Sequence, residues 1–85
     1  MRDLGSPSSY LLLKPDTPVY SADDVYVGMV TRVLAAHEED IFDGMNIHVG
    51  DGERFVSGAD VAGVYDNGVE LRLASAACEN LPPAR

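Results

Sequence analysis

Short runs in which apolar and polar residues alternate, separated by Gly, Pro, Asp and Asn, occupy most of this chain from Val19 to Leu73. A period of two marks half-buried β-strands, and each break carries residues that favour turns. Val19-Tyr20 predicts a first brief strand, ended by the turn Ser21-Ala22-Asp23-Asp24. Val25 to Ala36 follows as a long strand, because its β-branched Val25, Val27, Val30, Thr31 and Val33 outweigh the helical propensity of the run from Arg32 to Glu39. Val27 and Val30 both read as core although their spacing breaks the alternation, so Gly28 is expected at a bulge that coils the strand.

Past Ile41 the alternation is regular: Met45, Ile47 and Val49 share one face, Asn46 and His48 the other. The turn Gly50-Asp51-Gly52-Glu53 then brings Arg54-Phe55-Val56 back alongside. Ser57 to Asp60 connects to Val61, and Val64-Tyr65 opens a last hairpin through Asp66-Asn67-Gly68-Val69. Asp51-Gly52 and Asn67-Gly68 suit the paired positive-φ positions of a type I′ turn. Val69, Leu71 and Leu73 point inward, Glu70 and Arg72 outward. Ser75 then serves as N-cap of a helix over Ala76 to Leu81, stopped by Pro82-Pro83, with Ala77, Cys78 and Leu81 plugging one end of the sheet. The expected fold is mostly β, a small antiparallel β-barrel of about six strands with a short C-terminal helix. Residues 1–9 lack periodicity and read as a flexible tail, 10–81 as the domain, and 82–85 as a second tail. Tyr10-Leu11-Leu12-Leu13 is a short extended apolar piece ahead of Pro15 and Pro18.

Composition narrows the function classes. The chain has 85 residues, one domain near the lower end of what a single core sustains. A core of that size leaves about 3–5 kcal/mol of net stability, so burying an apolar face in a dimer is a substantial addition. The longest apolar run, Leu11 to Leu13, is far short of the roughly 20 residues a membrane helix needs. A formal net charge of −8 with six basic residues argues against direct nucleic-acid binding, whose affinity comes from Lys and Arg on phosphates, and favours a basic protein partner. Cys78 is the single cysteine, which rules out an internal disulfide and, with no secretory leader in sight, suits the cytoplasm.

Several of these segments also carry a resemblance. Val27-Gly28-Met29-Val30-Thr31-Arg32-Val33-Leu34, then Asp40-Ile41-Phe42-Asp43-Gly44-Met45, Arg54-Phe55-Val56-Ser57-Gly58-Ala59-Asp60-Val61, and Gly68-Val69-Glu70-Leu71-Arg72-Leu73 with a later Leu81-Pro82 resemble, in order and spacing, the PRC-barrel domain family. That domain occurs in the cytoplasmic part of the photosynthetic reaction-centre H subunit and in the ribosome maturation protein RimM. The resemblance spans Leu11 to Leu81. Relatives commonly carry Gly where this chain has Asp16 and Asp24, which puts the shape of those first turns in question. It implies a compact barrel that acts as an interaction or assembly module and not as an enzyme, with no cofactor.

The residues with chemical potential each have a plainer alternative. His37, Glu38, Glu39, Asp40 and Asp43 offer imidazole and carboxylate donors for a divalent cation, yet their spacing matches neither an EF-hand nor a zinc site, and a solvated acidic loop accounts for them better. His48 suits an exposed strand position. Cys78 suits core filling better than nucleophilic chemistry. The apolar residues least explained by the barrel are Tyr10, Leu11, Leu12, Leu13 and Phe42, which together form the expected contact surface for a second copy or another protein. The alternatives are a ligand- or metal-binding barrel built on the His37 to Asp43 loop, and a RimM-like adaptor for a basic ribosomal or RNA-associated protein.

Overall fold

The computed structural model describes residues 3–36, 41–50 and 52–85. Its strands are β1 (Pro18–Tyr20), β2 (Tyr26–Ala36), β3 (Ile41–Val49), β4 (Gly52–Ser57), β5 (Val61–Tyr65) and β6 (Gly68–Leu71), followed by the short helix α1 (Ser75–Cys78). They form one six-stranded sheet in the order β4-β3-β2-β1-β6-β5. All neighbours are antiparallel except β1 and β6, where Val19 pairs with Val69 and Tyr20 with Glu70 in parallel. The sheet is therefore mixed, not purely antiparallel. It is also not closed, since β4 and β5 stand at its two ends.

Those ends are nevertheless tied at one corner. Only the 3-10 turn Gly58–Asp60 separates β4 from β5, and four residues of chain span at most roughly 14 Å. The strand directions implied by the pairings run the same way in β4 and β5, so the chain passes over the corner and continues. A flat sheet of this order does not permit that, and curling is the consequence.

Curling has local causes. Against β1, β2 pairs Gly28 with Val19 and Tyr26 with Tyr20, leaving Val27 as the extra residue of a bulge. The bulge expected near Gly28 is present, one residue earlier. Further register shifts fall between Val30 and Arg32 and between Leu34 and Ala35 against β3. Each inserted residue bends its strand and increases its twist. Gly28 is required for a second reason: a Cβ there would collide with the backbone carbonyl of His48.

The concave side holds the core. Val19, Val30, Met45, Ile47, Val56, Val69, Leu71 and Cys78 form one buried cluster, with Leu13, Leu73 and Leu81 packed partly against it. The inward set expected from alternation, including Met45, Ile47, Val69 and Leu71, is found there.

Turns depart from expectation. β3 and β4 pair Val49 with Gly52, so the turn lies one residue earlier than Asp51-Gly52, and Gly50 takes the positive φ of 50°; Asp51 is outside the described residues. In the last hairpin Tyr65 pairs with Gly68, which makes Asp66 and Asn67 the turn residues, and neither they nor Gly68 has a positive φ. This is not a type I′ turn. Its amides are satisfied from outside: Asp66 N–H donates to Ser6 O at 3.0 Å and Asn67 N–H to Leu4 O at 2.9 Å.

That contact also relocates the expected tail. Residues 4–8 lie along the β5 edge, with Ser8 N–H donating to Val64 O at 2.8 Å, Pro7 bridged to Tyr65 and Leu4 buried. Residues 82–85 likewise run along β4, where Phe55 N–H donates to Pro82 O at 2.9 Å and Pro83 is bridged to Arg54. Both open edges of the sheet are thus covered.

Asp16 and Asp24 have φ of 71° and 63°. These are the two positions where the resemblance leads one to expect glycine. The turns keep a left-handed residue, and Asp is among the few side chains that tolerate it.

Candidate interaction surface

Ser9 shapes the apolar N-terminal segment. Its hydroxyl accepts from Leu11 N–H at 3.1 Å and its carbonyl accepts from Leu12 N–H at 2.9 Å. The segment is accordingly a 3-10 turn over Tyr10–Leu12, not the extended piece expected, because a serine hydroxyl offers nearby amides a local partner. It cannot present a strand edge. It presents a knob.

The knob meets β3. The Tyr10 ring stacks on Phe42 with centroids 5.1 Å apart and planes 14° from parallel, an arrangement aromatic pairs favour. Leu13 turns inward to the core, while Leu11 and Leu12 remain 56% and 69% exposed. Of the five residues expected to form the contact surface, the fold brings Tyr10 and Phe42 into direct contact, leaves Leu11 and Leu12 facing outward, and uses Leu13 for packing. Beside Leu12 lies a hollow of about 300 Å³ lined by Leu13, Lys14, Thr17, Val64 and Tyr65 among others.

A second apolar area lies outside the expected surface. Val25 is 45% and Tyr26 53% exposed, at the rim of an open groove of about 500 Å³ that also reaches Val49, Arg54, Cys78 and Glu79. Tyr26 packs edge-on against Tyr20, centroids 5.9 Å apart. Its signal in the sequence is the pair of tyrosines flanking one short turn.

No protein-family model matches the chain, and no curated protein matches it.

Of the residues considered for chemistry, His37, Glu38, Glu39 and Asp40 lie outside the described residues, and Asp43 is exposed at the start of β3. Among the described residues no group of His, Cys, Asp or Glu side chains is arranged to hold a metal ion. His48 is exposed and sits opposite Glu53 on β4. Burial, followed by the charges of Asp23 and Asp60, pushes the Cys78 thiol above its ordinary pKa, which disfavours the nucleophilic thiolate.

Two polar constellations have structural weight. Asp23, in the β1–β2 turn, accepts from Ser75 N–H at 2.9 Å and from Ser75 Oγ–H at 2.7 Å, and from the Ser21 hydroxyl. The Ser21 bond, then those from Ser75, hold its carboxyl down at a pKa of about 2. Ser75 is therefore not the N-cap of α1. The cap position is Ala74, which makes no side-chain bond, and a carboxylate from a distant turn supplies the acceptor.

The second constellation is Asn46. Alternation places it on the polar face, yet it is 3% exposed. Its side-chain amide donates to Arg85 O at 2.9 Å and its carbonyl accepts from Arg85 N–H at 3.0 Å. The residue opposite Asn46 on β4 is Phe55, and the Arg85 guanidinium lies 4.1 Å from the centre of its ring.

Proposed function

We propose that this chain is a non-enzymatic interaction module of the PRC-barrel type, acting in the cytoplasm and pairing with a second copy of itself through the knob at Tyr10, Leu11 and Leu12 beside Phe42. The observation that carries the proposal is the exposure of Leu11 and Leu12 next to the Tyr10–Phe42 stack. A stacked aromatic pair gives the two leucines a rigid base, so little ordering remains to be done on association.

The PRC-barrel part of the reading is supported by the left-handed Asp16 and Asp24 at the family's glycine positions, and by the short Gly58–Asp60 connection that ties one end of β4 to β5. Burying a leucine contributes roughly 1.5–3 kcal/mol. Four leucines across a symmetric pair then contribute an amount on the order of the association cost. The dimer is therefore concentration-dependent.

Sedimentation velocity over a concentration series tests it. The expected result is a shift from monomer to dimer as concentration rises, abolished by Leu12→Asp with the thermal midpoint nearly unchanged, since Leu12 supports little of the folded core. A wild-type monomer at several hundred micromolar, roughly the upper range for a weak specific pair, removes this surface from consideration.

A further inference from the structure

We infer that the Asn46–Phe55 pair on β3 and β4 is a recognition site for an arginine-bearing extended segment of a basic protein, occupied in this structure by the chain's own residues 82–85. The contacts on Arg85 are of two kinds, and both are transferable. Asn46 clamps only main-chain atoms, donating to Arg85 O and accepting from Arg85 N–H. That double exchange reproduces what a neighbouring strand does in an antiparallel ladder, so the clamp reads an extended backbone whatever its side chain. Phe55 supplies the selectivity: a guanidinium 4.1 Å above its ring is a cation–π contact, which favours Arg over neutral residues.

The site is built from underneath. Asn46 and Phe55 lie directly opposite each other in the β3–β4 register. Gly44, two residues before Asn46, has a φ of 152°, and a Cβ there would stand 2.7 Å from Phe55 Cζ; the missing side chain is what seats the ring. The outer edge of β4 contributes Phe55 N–H, which reaches Pro82 O at 2.9 Å. Together these form an edge for strand addition, a backbone clamp and one side-chain reader, the parts by which peptide-binding sheets work.

The formal net charge of −8 draws a basic protein toward the chain over long range, while Arg32 stands opposite Asn46 in the β2–β3 register, so selection of an arginine at the site itself rests on the Phe55 ring. The resident segment holds the site by its tether and not by unusual contacts, with an effective concentration in the millimolar range expected for a short connection. The site is independent of the Leu11–Leu12 knob.

The probe is a synthetic peptide of sequence Leu-Pro-Pro-Ala-Arg titrated into the full chain, with the backbone amide of Phe55 and the side-chain amide of Asn46 followed by NMR. Arg85→Ala, which removes the resident guanidinium and leaves the core intact, is expected to raise peptide affinity roughly three-fold over wild type. A peptide with citrulline in place of arginine, isosteric but neutral, is expected to lose about the same factor. Three results overturn the inference: no shift at Asn46 and Phe55 in the Arg85→Ala chain up to roughly 5 mM peptide, above the tether's concentration; equal binding of the arginine and citrulline peptides; or dimers without peptide that vanish in Arg85→Ala, which assign the edge to exchange between copies.

Discussion

The two open edges of the sheet are covered by opposite ends of the described chain, and by different means. Along β5, residues 4–8 pair through main-chain bonds, Ser8 N–H to Val64 O and the two turn amides to Ser6 O and Leu4 O, with Leu4 as the one buried anchor. Along β4, residues 82–85 add a side-chain clamp from Asn46 and a ring contact from Phe55. Main-chain pairing and the Asn46 clamp on main-chain atoms are blind to sequence; the aromatic face beneath the guanidinium is not. One edge is thus closed by whatever can lie extended and place a leucine, while the other reads what lies on it.

The largest expected effect tests the anchor of the first edge. Leu4→Ala should cost about 2–3 kcal/mol, the lower part of the range for buried leucines because Leu4 lies outside the main cluster. A thermal midpoint lower by roughly 10–20 °C checks this. A change within the scatter of repeat melts instead means that the main-chain bonds alone hold residues 4–8.

Asn46→Ala comes next, at about 1–2 kcal/mol, the cost of leaving two main-chain groups of Arg85 without their partner. Denaturant unfolding should show it, and hydrogen exchange should show lost protection at Phe55 N–H while Asp66 and Asn67 stay protected. If Ser6→Ala on the other edge costs as much, the contrast between a reading edge and a blind one is lost.

Asp23→Asn probes the anchor upstream of residues 82–85, because Asp23 holds the first turn of α1. The carboxyl titrates at about 2 in the folded chain against 3.8 ordinarily. A depressed value means its stabilisation is fully present above about pH 4 and is lost as pH falls through about 2. Wild type should therefore be the more stable at pH 6, with the gap to Asp23→Asn closing between pH 4 and pH 2. A constant gap across that range shows that the hydrogen bonds to Ser21 and Ser75 do not depend on the charge.

The smallest effect is a gain. Asp16→Gly relieves a left-handed aspartate at φ 71° and should stabilise by about 0.5 kcal/mol, strain relief less the entropy cost of glycine. Neither edge should change its exchange protection. A loss of stability shows that the Asp16 side chain matters to the turn.

Much of the sheet is legible in the order of residues alone. Val-rich β2, regular β3 and the Val69-Glu70-Leu71 alternation of β6 are local patterns, and the bulge at Val27 is signalled by the broken spacing around Gly28. The contact surface is half legible: Tyr10 and Phe42 stand out as apolar residues the strands do not explain, but no spacing says that their rings stack. Alternation puts Asn46 on the right face but misses its burial, for a definite reason. Alternation assigns a residue to a face, and the outer face is polar only where nothing covers it.

Local residue order sets the strands and which side chains turn toward the core, because side-chain alternation along a strand has a period of two and needs no knowledge of neighbours. Tertiary structure alone decided the hydrogen-bond partners. Asp66 and Asn67 turn without positive φ because residues 4–6 satisfy their amides, Ser75 lost its capping role to Asp23, and Asn46 was buried by Arg85. A main-chain donor accepts any acceptor that the fold brings within about 3 Å, and that proximity is set by how the sheet curls.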